Sequence, residues 1–452
     1  MAMDEVLASA YEVLHDSVLT HDGIPVGTAA ALDEGAAAAN YHECFVRDFV
    51  PSAFVFLMDG KTEIVRNFLE LVVELCGQQG VMAGHRRAPG LMPASFRVRP
   101  DGDGVSADFG DLAIGRVAPV DSAMWWMLLL RIYVLTTGDV EFARRPQCQE
   151  AMRAALELYL QESFETSPAM LVPDGSFMID RRMEVYGHPL EIQSLFFGML
   201  QTARELLLPA VGGEELLANV KRRLQTLRSY VRMYYWLDQY RLNEIHRFRS
   251  EELGADAVNL LNIYPESIPE WIDGWLPEDA GYFVGNLGPG RMDFRFFAFG
   301  NLLAILFGLA TEEQSQQIMA LYEQRWDDLV GATPVIITYP AVRGEHWAHV
   351  TGSDPKNAPW SYHNGGHWPC LLWAFAGAAI RTGRHDLARR AVERSAQKLA
   401  RDRWPEYYDG RHGSLVGRRA NLRQTWSAAA LIVAHRLLED PESLPVFESM
   451  NF

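Results

Sequence analysis

Apolar positions along the chain follow two alternating patterns. In the first, apolar residues recur near i, i+3, i+4 and i+7 with Glu, Lys, Arg or Gln between them. It covers Asp4–Ser17, Thr62–Cys76, Glu141–Gln161, Gly213–Asp238, Glu312–Asp328 and His385–Arg401. This spacing predicts amphipathic helices with one solvated face. In the second, the segments are apolar nearly all round: Phe45–Met58, Ser122–Leu135, Leu190–Leu206, Phe296–Leu309, Pro369–Ile380 and Gln424–Leu438. A helix apolar on every side is buried on every side. The two types alternate strictly, which predicts an all-α fold, an (α/α)6 barrel of six inner and six outer helices. The apolar segments keep no fixed period, so a helical solenoid is disfavoured. No Pro/Gly/Ser linker divides the chain, and one domain over residues 1–452 is expected.

The connections between these segments are unequal. Those from inner to outer helix are mostly short, such as Met58-Asp59-Gly60-Lys61 and Arg381-Thr382-Gly383-Arg384. Those from outer to inner helix are mostly long and irregular, and long loops in a compact domain are usually functional. Because consecutive helices alternate in direction, the long connections all emerge at one end, where the inner helices begin.

Composition narrows the partners. A net charge of −17 argues against nucleic acid and against an anionic membrane surface, and is neutral toward a sugar. Cys44, Cys76, Cys148 and Cys370 form no CxxC pair, so they read as reduced buried thiols. The first residues lack a basic n-region and a long apolar core, and no uncharged apolar run reaches the roughly 20 residues of a membrane span. A cytoplasmic protein is expected.

Carboxylates, amides, His, Arg and aromatic residues concentrate in the long connections: Asn40–Asp48, Asp108–Asp121, Asp174–Arg182, Asn286–Arg295, Trp360–Trp368 and Trp404–Gly410. Polar groups around an aromatic-lined concavity suit a sugar. Glycoside hydrolysis needs two carboxyls, and Asp48, Asp108, Asp111, Asp121, Asp180, Glu191, Asp293 and Glu406 are the candidates. Each also has a structural reading. Asp121 and Asp293 stand where helix caps are expected, Asp48 follows Arg47, Asp180 precedes Arg181 and Arg182, and Glu406 sits among aromatics. The pattern thus places a mouth and a short list without choosing a pair.

Metal and cofactor signals are weak. His363 and His367 have i, i+4 spacing, but Gly365 and Gly366 interrupt a helix there. Asp101-Gly-Asp103-Gly104 starts like a calcium loop but has Leu112 at the twelfth position. Gly285–Gly290 lacks the GK[ST] of a phosphate loop and reads as a flexible turn at the mouth. No metal and no cofactor are expected.

Across Asn40–Ala428 the chain resembles the alkaline/neutral invertases, glycoside hydrolase family 100. The resemblance is carried by Glu43-Cys-Phe-Val-Arg-Asp-Phe49, Leu91–Phe96, Ile114–Ser122, Met178-Ile-Asp-Arg-Arg-Met183 and Glu191-Ile-Gln193. It continues through Met292–Phe297, Gly352-Ser-Asp-Pro-Lys-Asn357, Trp360–Gly366, Trp404-Pro-Glu-Tyr-Tyr408 and Gln424–Trp426. It implies an (α/α)6 barrel and inverting hydrolysis of sucrose to glucose and fructose. By motif, Asp180 is the general acid and Glu406 the general base. The residues set against the sugar are Arg47, Asp48, Asp121, Trp125, His188, Glu191, Gln193, Asp293, Arg295, His363, Asn364 and Gln424. Self-association into a homo-oligomer is a further expectation.

Two departures and one tension stand out. His367 occupies a position where a small residue is usual, and Glu184 one where Gly is common. Arg181 and Arg182 should lower the pKa of Asp180, whereas a general acid wants it raised. The long N-terminal extension of organelle-targeted members is not seen. Two other functions remain open: a sugar isomerase or epimerase using His188, His363 and His367, and a sugar-binding protein without catalysis. In a ring of six, Asp180 before the third inner helix and Glu406 before the sixth stand opposite each other. That arrangement favours the roughly 6.5–9.5 Å carboxyl gap of an inverting enzyme.

Overall fold

The computed structural model describes residues 1–33, 39–77, 81–82, 85–86, 88–99, 104–111, 118–161, 165–166, 168–172, 177–179, 183, 185–250, 263–288, 291–443 and 445. Its helices are α1 (Met3–Asp16), α2 (Val46–Met58), α3 (Thr62–Cys76), α4 (Ser122–Thr137), α5 (Val140–Arg144) and α6 (Pro146–Tyr159). There follow α7 (Leu190–Leu206), α8 (Pro209–Tyr234), α9 (Gln239–Ser250), α10 (Ala298–Leu306) and α11 (Glu312–Gln324). The last are α12 (Trp326–Leu329), α13 (Gly344–Thr351), α14 (Leu372–Arg381), α15 (His385–Arg401) and α16 (Thr425–Glu439).

The helices that are apolar all round pack in sequence. α2 contacts α4, α4 contacts α7, α7 contacts α10, α10 contacts α14, α14 contacts α16, and α16 returns to α2. The amphipathic helices lie against them: α3 on α2 and α4, α8 on α7, α11 and α15 on α14, and α1 on α16. Burial explains the division. Every residue of α4 from Ser122 to Val134 is buried, including Arg131, whereas α15 buries only the Leu387, Ala388, Ala391, Val392, Ser395, Ala396, Leu399 stripe. Trp126 shows how the layers join: its ring is fully buried and its Nε1–H donates to Leu69 O of α3 at 3.0 Å.

Some boundaries differ from the sequence expectation for local reasons. The segment expected as Glu141–Gln161 is two helices, because Pro146 opens α6 and its missing N–H and fixed φ suit a first helical position. α8 starts at Pro209 and kinks at Gly213, whose φ of 71° a glycine adopts without a Cβ clash. α9 and α13 are helices inside connections expected to be irregular.

The all-α expectation is corrected. The fold is mostly helical, but the long connections also pair as sheets. Strands His188–Pro189, Gly281–Gly288, Arg291–Phe297 and Thr338–Tyr339 form one antiparallel sheet in that order, and Trp236–Asp238 also pairs with Gly281–Gly288. Residues 296–297, expected to open an inner helix, are its strand ends, and α10 begins at Ala298. The run expected as a flexible turn is partly strand: Asn286 pairs with Asp293 and Leu287 with Met292, while Pro289 and Gly290 lie outside the described residues. Aromatic residues suit a pleated surface, and Gly285 lets the ring of Phe297 approach, since a Cβ there would stand 2.5 Å from it. A second sheet joins Cys44–Phe45 to Ser95–Val98 and Val105–Asp108, and it feeds directly into α2.

Candidate active site

Four inner helices bring polar side chains to their N-terminal ends. Arg47 and Asp48 are the second and third residues of α2, which the strand Cys44–Phe45 leads in. Asp121 precedes α4, yet it does not cap that helix with its side chain. Its carboxylate is gripped by the Arg47 fork instead: Nε donates to Oδ2 at 2.5 Å and Nη2 to Oδ1 at 3.1 Å. A bidentate guanidinium–carboxylate pair of this kind fixes orientation as well as charge, so it ties α2 to α4.

The two carboxyls around that pair are pushed toward the protonated form. Burial raises the Asp48 pKa to about 7, with Glu406 and Asp121 adding to the rise and Arg47 opposing it. Burial raises Glu191, the second residue of α7, to about 8, reinforced by Asp121 and opposed by Arg47 and the Met178 N–H. The Met178 N–H donates to Glu191 Oε1 at 3.1 Å. Glu191 Oε2, Trp125 Nε1, Trp426 Nε1 and both amide atoms of Gln424 are buried with no hydrogen-bond partner among the described residues. Trp125 and Trp426 line a small recess with Arg47, Met178, Phe299 and Trp373. An unpaired buried polar atom costs on the order of 1–3 kcal/mol, so such atoms rarely gather without a purpose.

Glu406 is approached from a different part of the chain. Arg403 and Trp404 both have positive φ, 63° and 55°, and the turn they make brings Glu406 inward. The turn is held by Gln424 N donating to Trp404 O at 2.9 Å and by Ser427 Oγ donating to Pro405 O at 3.0 Å. The carboxylate is 2% exposed and surrounded by donors. Tyr41 Oη donates to Oε1 at 2.7 Å, Asn421 Nδ2 donates to Oε2 at 3.2 Å, and Lys356 Nζ lies 3.7 Å from Oε2. The Tyr41 hydroxyl is driven well above its ordinary pKa by burial and by the Glu406 charge, which keeps it a donor.

The remaining expected residues fall into three groups. Asp293 caps no helix: it sits in the Arg291–Phe297 strand and binds Arg295, whose Nε lies 2.9 Å from Oδ1 and 3.1 Å from Oδ2. This pair lines a cavity of about 760 Å³ with Tyr264, Trp271, Arg343 and His346. The described contacts of His188, Gln193, His363 and Asn364 are with the surrounding chain. His188 Nδ1 is 2.8 Å from Leu287 O, and burial lowers its pKa. Both amide atoms of Gln193 bond the backbone of Met170, those of Asn364 bond Val342, and His363 stacks 4.0 Å from Tyr362 and 5.2 Å from Trp368. His367 is fully buried with Nδ1 2.9 Å from Thr333 O, and burial lowers its pKa to about 4.

Asp180, Arg181, Arg182 and Glu184 lie outside the described residues, as do Asp101 and Asp103. The buried Met178 and Ile179 lead up to Asp180. Among the described residues no group of three or more His, Cys, Asp or Glu side chains is placed to hold a metal ion, and no helix is long and apolar enough to cross a membrane. Sequence reasoning passed over three neighbours of Glu406. Tyr41 and Lys356 lie within the Asn40–Asp48 and Gly352–Asn357 runs that drew attention as motifs, whereas Asn421 lies in a stretch with no motif.

Comparison with known proteins agrees with this picture. The family described as "Alkaline and neutral invertase" matches residues 10–441. "Cytosolic invertase 1" of Oryza sativa subsp. japonica is 49% identical over 444 residues, covering 97% of this chain and 79% of that protein. "Alkaline/neutral invertase C, mitochondrial" of Arabidopsis thaliana is 47% identical over 452 residues, covering 98% and 68%. Among solved structures, a GH63 mannosylglycerate hydrolase from Thermus thermophilus in complex with glucose superposes with a TM-score of 0.58 at 12% identity, covering 95% of this chain and 100% of that one, a likeness of fold alone. With so much of the chain matched at such identity, the protein belongs to the alkaline and neutral invertase family and is a glycoside hydrolase.

Proposed function

We propose that the protein hydrolyses sucrose to glucose and fructose with inversion, in one domain over residues 1–452 built as an (α/α)6 barrel. The return of α16 to α2 supports the barrel. Asp180 is assigned as general acid and Glu406 as general base. Asp180 protonates the glycosidic oxygen as the C–O bond breaks, while Glu406 takes a proton from the water that attacks the anomeric carbon from the opposite face. Water thus supplies the new hydroxyl; afterwards Glu406 releases its proton to solvent and Asp180 takes one up, so both carboxyls return to their starting forms.

The observation that carries this reading is the setting of Glu406. It is buried, it accepts hydrogen bonds from Tyr41 and Asn421, and it faces the Lys356 cation, a setting that stabilises the negative charge a base needs. The unpaired atoms of Glu191, Trp125, Gln424 and Trp426 are suited to sugar hydroxyls, and Arg47, Asp48 and Asp121 flank them. Asp293 and Arg295 carry a carboxylate and a guanidinium to the larger cavity. His188, Gln193, His363 and Asn364 shape the mouth. No cofactor takes part in these steps, and the partner is a neutral sugar. Cytoplasmic placement and self-association complete the proposal.

Proton NMR of early sucrose hydrolysis tests it. Attack at the glucosyl carbon gives β-glucose before mutarotation, and labelled water identifies the carbon attacked. Raffinose, trehalose and maltose should turn over far more slowly. Net retention, or comparable turnover of trehalose, would overturn the assignment.

A further inference from the structure

Lys356 is not an ordinary surface lysine. It lies in the short turn Pro355–Asn357, and its side chain is only 25% exposed. Its backbone is held on both sides: its N–H donates to Asp354 Oδ1 at 3.2 Å, and its carbonyl accepts from Ser361 Oγ at 2.8 Å. The next residue is held too, with Trp347 Nε1 on Asn357 O and Asn357 Nδ2 on Asp354 Oδ2 at 3.0 Å. From this base the ammonium sits 3.9 Å above the Tyr362 ring and 3.7 Å from Glu406 Oε2. A lysine side chain has much rotamer freedom to lose, and here the ring and the pinned turn restrict it to one direction.

The charges around Glu406 make that direction matter. Tyr41 faces it from the turn Ala39–His42, and Asn421 from the segment before α16; both are neutral donors. The Asp48 carboxyl approaches from α2, the Cys370 thiol from Pro369–Leu371, and the Tyr407 hydroxyl from the adjacent residue, each raised in pKa in part by the Glu406 charge. Arg47, the cation of the α2 end, is engaged by Asp121. Among the described residues, Lys356 is the cation within 4.0 Å of Glu406. We infer that Lys356 is a positioning residue for the base: its ammonium, set between the Tyr362 ring and Glu406 Oε2, fixes the direction of the Glu406 carboxylate opposite the Asp48 carboxyl, and its charge shapes the acid limb of the pH–rate profile. This rests on the reading of Glu406 as general base.

The test is the pH profile of sucrose hydrolysis in the full-length protein. Lys356→Met and Lys356→Gln remove the cation beside Oε2 and should move the acid limb of kcat/KM upward. Turnover should fall at pH values below the shifted limb and recover above it, with KM changed by roughly twofold or less. Lys356→Arg keeps a charge and should hold the limb within a few tenths of a unit. If one neutral variant fails to fold, the other is read against the Arg variant. Activity lowered equally at every pH, with the limb unmoved, overturns the inference and leaves Lys356 a packing residue. Glu406→Gln is measured in parallel. If it keeps wild-type turnover, Glu406 is not the base and the reading beneath falls. If it is inactive while the neutral Lys356 variants leave the limb in place, only the role of Lys356 falls.

Discussion

Two carboxylate clusters meet near the N-terminal ends of the buried helices, and they are built in opposite ways. At the ends of α2, α4 and α7, one guanidinium serves three acids. Arg47 is committed to Asp121 by two hydrogen bonds, and burial holds Asp48 near 7 and Glu191 near 8. At the Trp404–Tyr408 turn one acid is served by several donors: Tyr41, Asn421 and Lys356 all address Glu406. The first cluster favours the protonated form of its buried acids, whereas the second surrounds its acid with donors. In the proposed reaction, the first cluster would donate to sugar hydroxyls and Glu406 would accept the proton of the attacking water.

The largest effect expected is on turnover. Glu406→Gln and Asp180→Asn should each reduce kcat by about 10²–10⁴, the contribution of a positioned acid or base, with helical circular dichroism unchanged. Near wild-type activity in either would remove that residue from its assigned role and erase the contrast.

Next comes the pair that organises the first cluster. Arg47→Met leaves the Asp121 carboxylate buried and uncompensated, a change that costs about 3–5 kcal/mol when the partner charge remains. Chemical denaturation should show most of that loss, and Arg47→Met combined with Asp121→Asn should recover part of it. A double variant no more stable than the single one would mean that the pair does not couple α2 to α4.

The pH dependence of stability sharpens the comparison further. The Glu191 pKa is raised in the folded state, so the folded protein binds the proton more tightly than the unfolded chain does. Its contribution is complete below the ordinary glutamate pKa and is lost as pH rises through about 8. Relative to Glu191→Gln, the wild type should therefore lose stability between about pH 4.5 and 8. Urea midpoints measured across that range check the sign, and an opposite slope would mean that Glu191 is ionised in the fold.

Smaller changes are expected from Tyr41→Phe. It removes one hydrogen bond to a charged group, about 1.5 kcal/mol or roughly tenfold in turnover. A loss as large as that of Glu406→Gln would instead make the hydroxyl a participant in the chemistry. Smallest of all, dialysis against EDTA should leave activity unchanged, because a two-carboxylate hydrolysis needs no metal. Activity lost and then restored by a divalent ion would return attention to His363 and His367.

Much of this architecture was legible along the chain. The Ser122–Leu135 run has no polar face, so it has no stable place except inside; α4 is buried from Ser122 to Val134. The His385–Arg401 stripe matched α15 residue for residue. The strands were hidden because short apolar runs such as Phe296-Phe297 fit a strand and a helix start equally well, and pairing with Thr338–Tyr339 decides between them. The roles of single polar residues were hidden for a similar reason. Asp121 stands at a helix start like a cap, and only the arrival of Arg47 from another helix turns it into an ion pair. Gln193 and Asn364 are expected beside the sugar, and their bonds to backbone segments 23 and 22 residues away are contacts that no local pattern shows.

What the sequence by itself determined was the set of buried and solvated helices and the motifs by which the chain belongs to its family. Hydrophobic periodicity is a local property, and burial follows from it almost without reference to partners. Only the tertiary structure decided which charges face each other. Tyr41 and Glu406 are 365 residues apart in the chain yet 2.7 Å apart in space, and Lys356 reaches the same carboxylate from a third segment. A carboxyl is ionised or protonated according to its surroundings within a few ångströms, and the folded chain assembles those surroundings from segments that no local pattern connects.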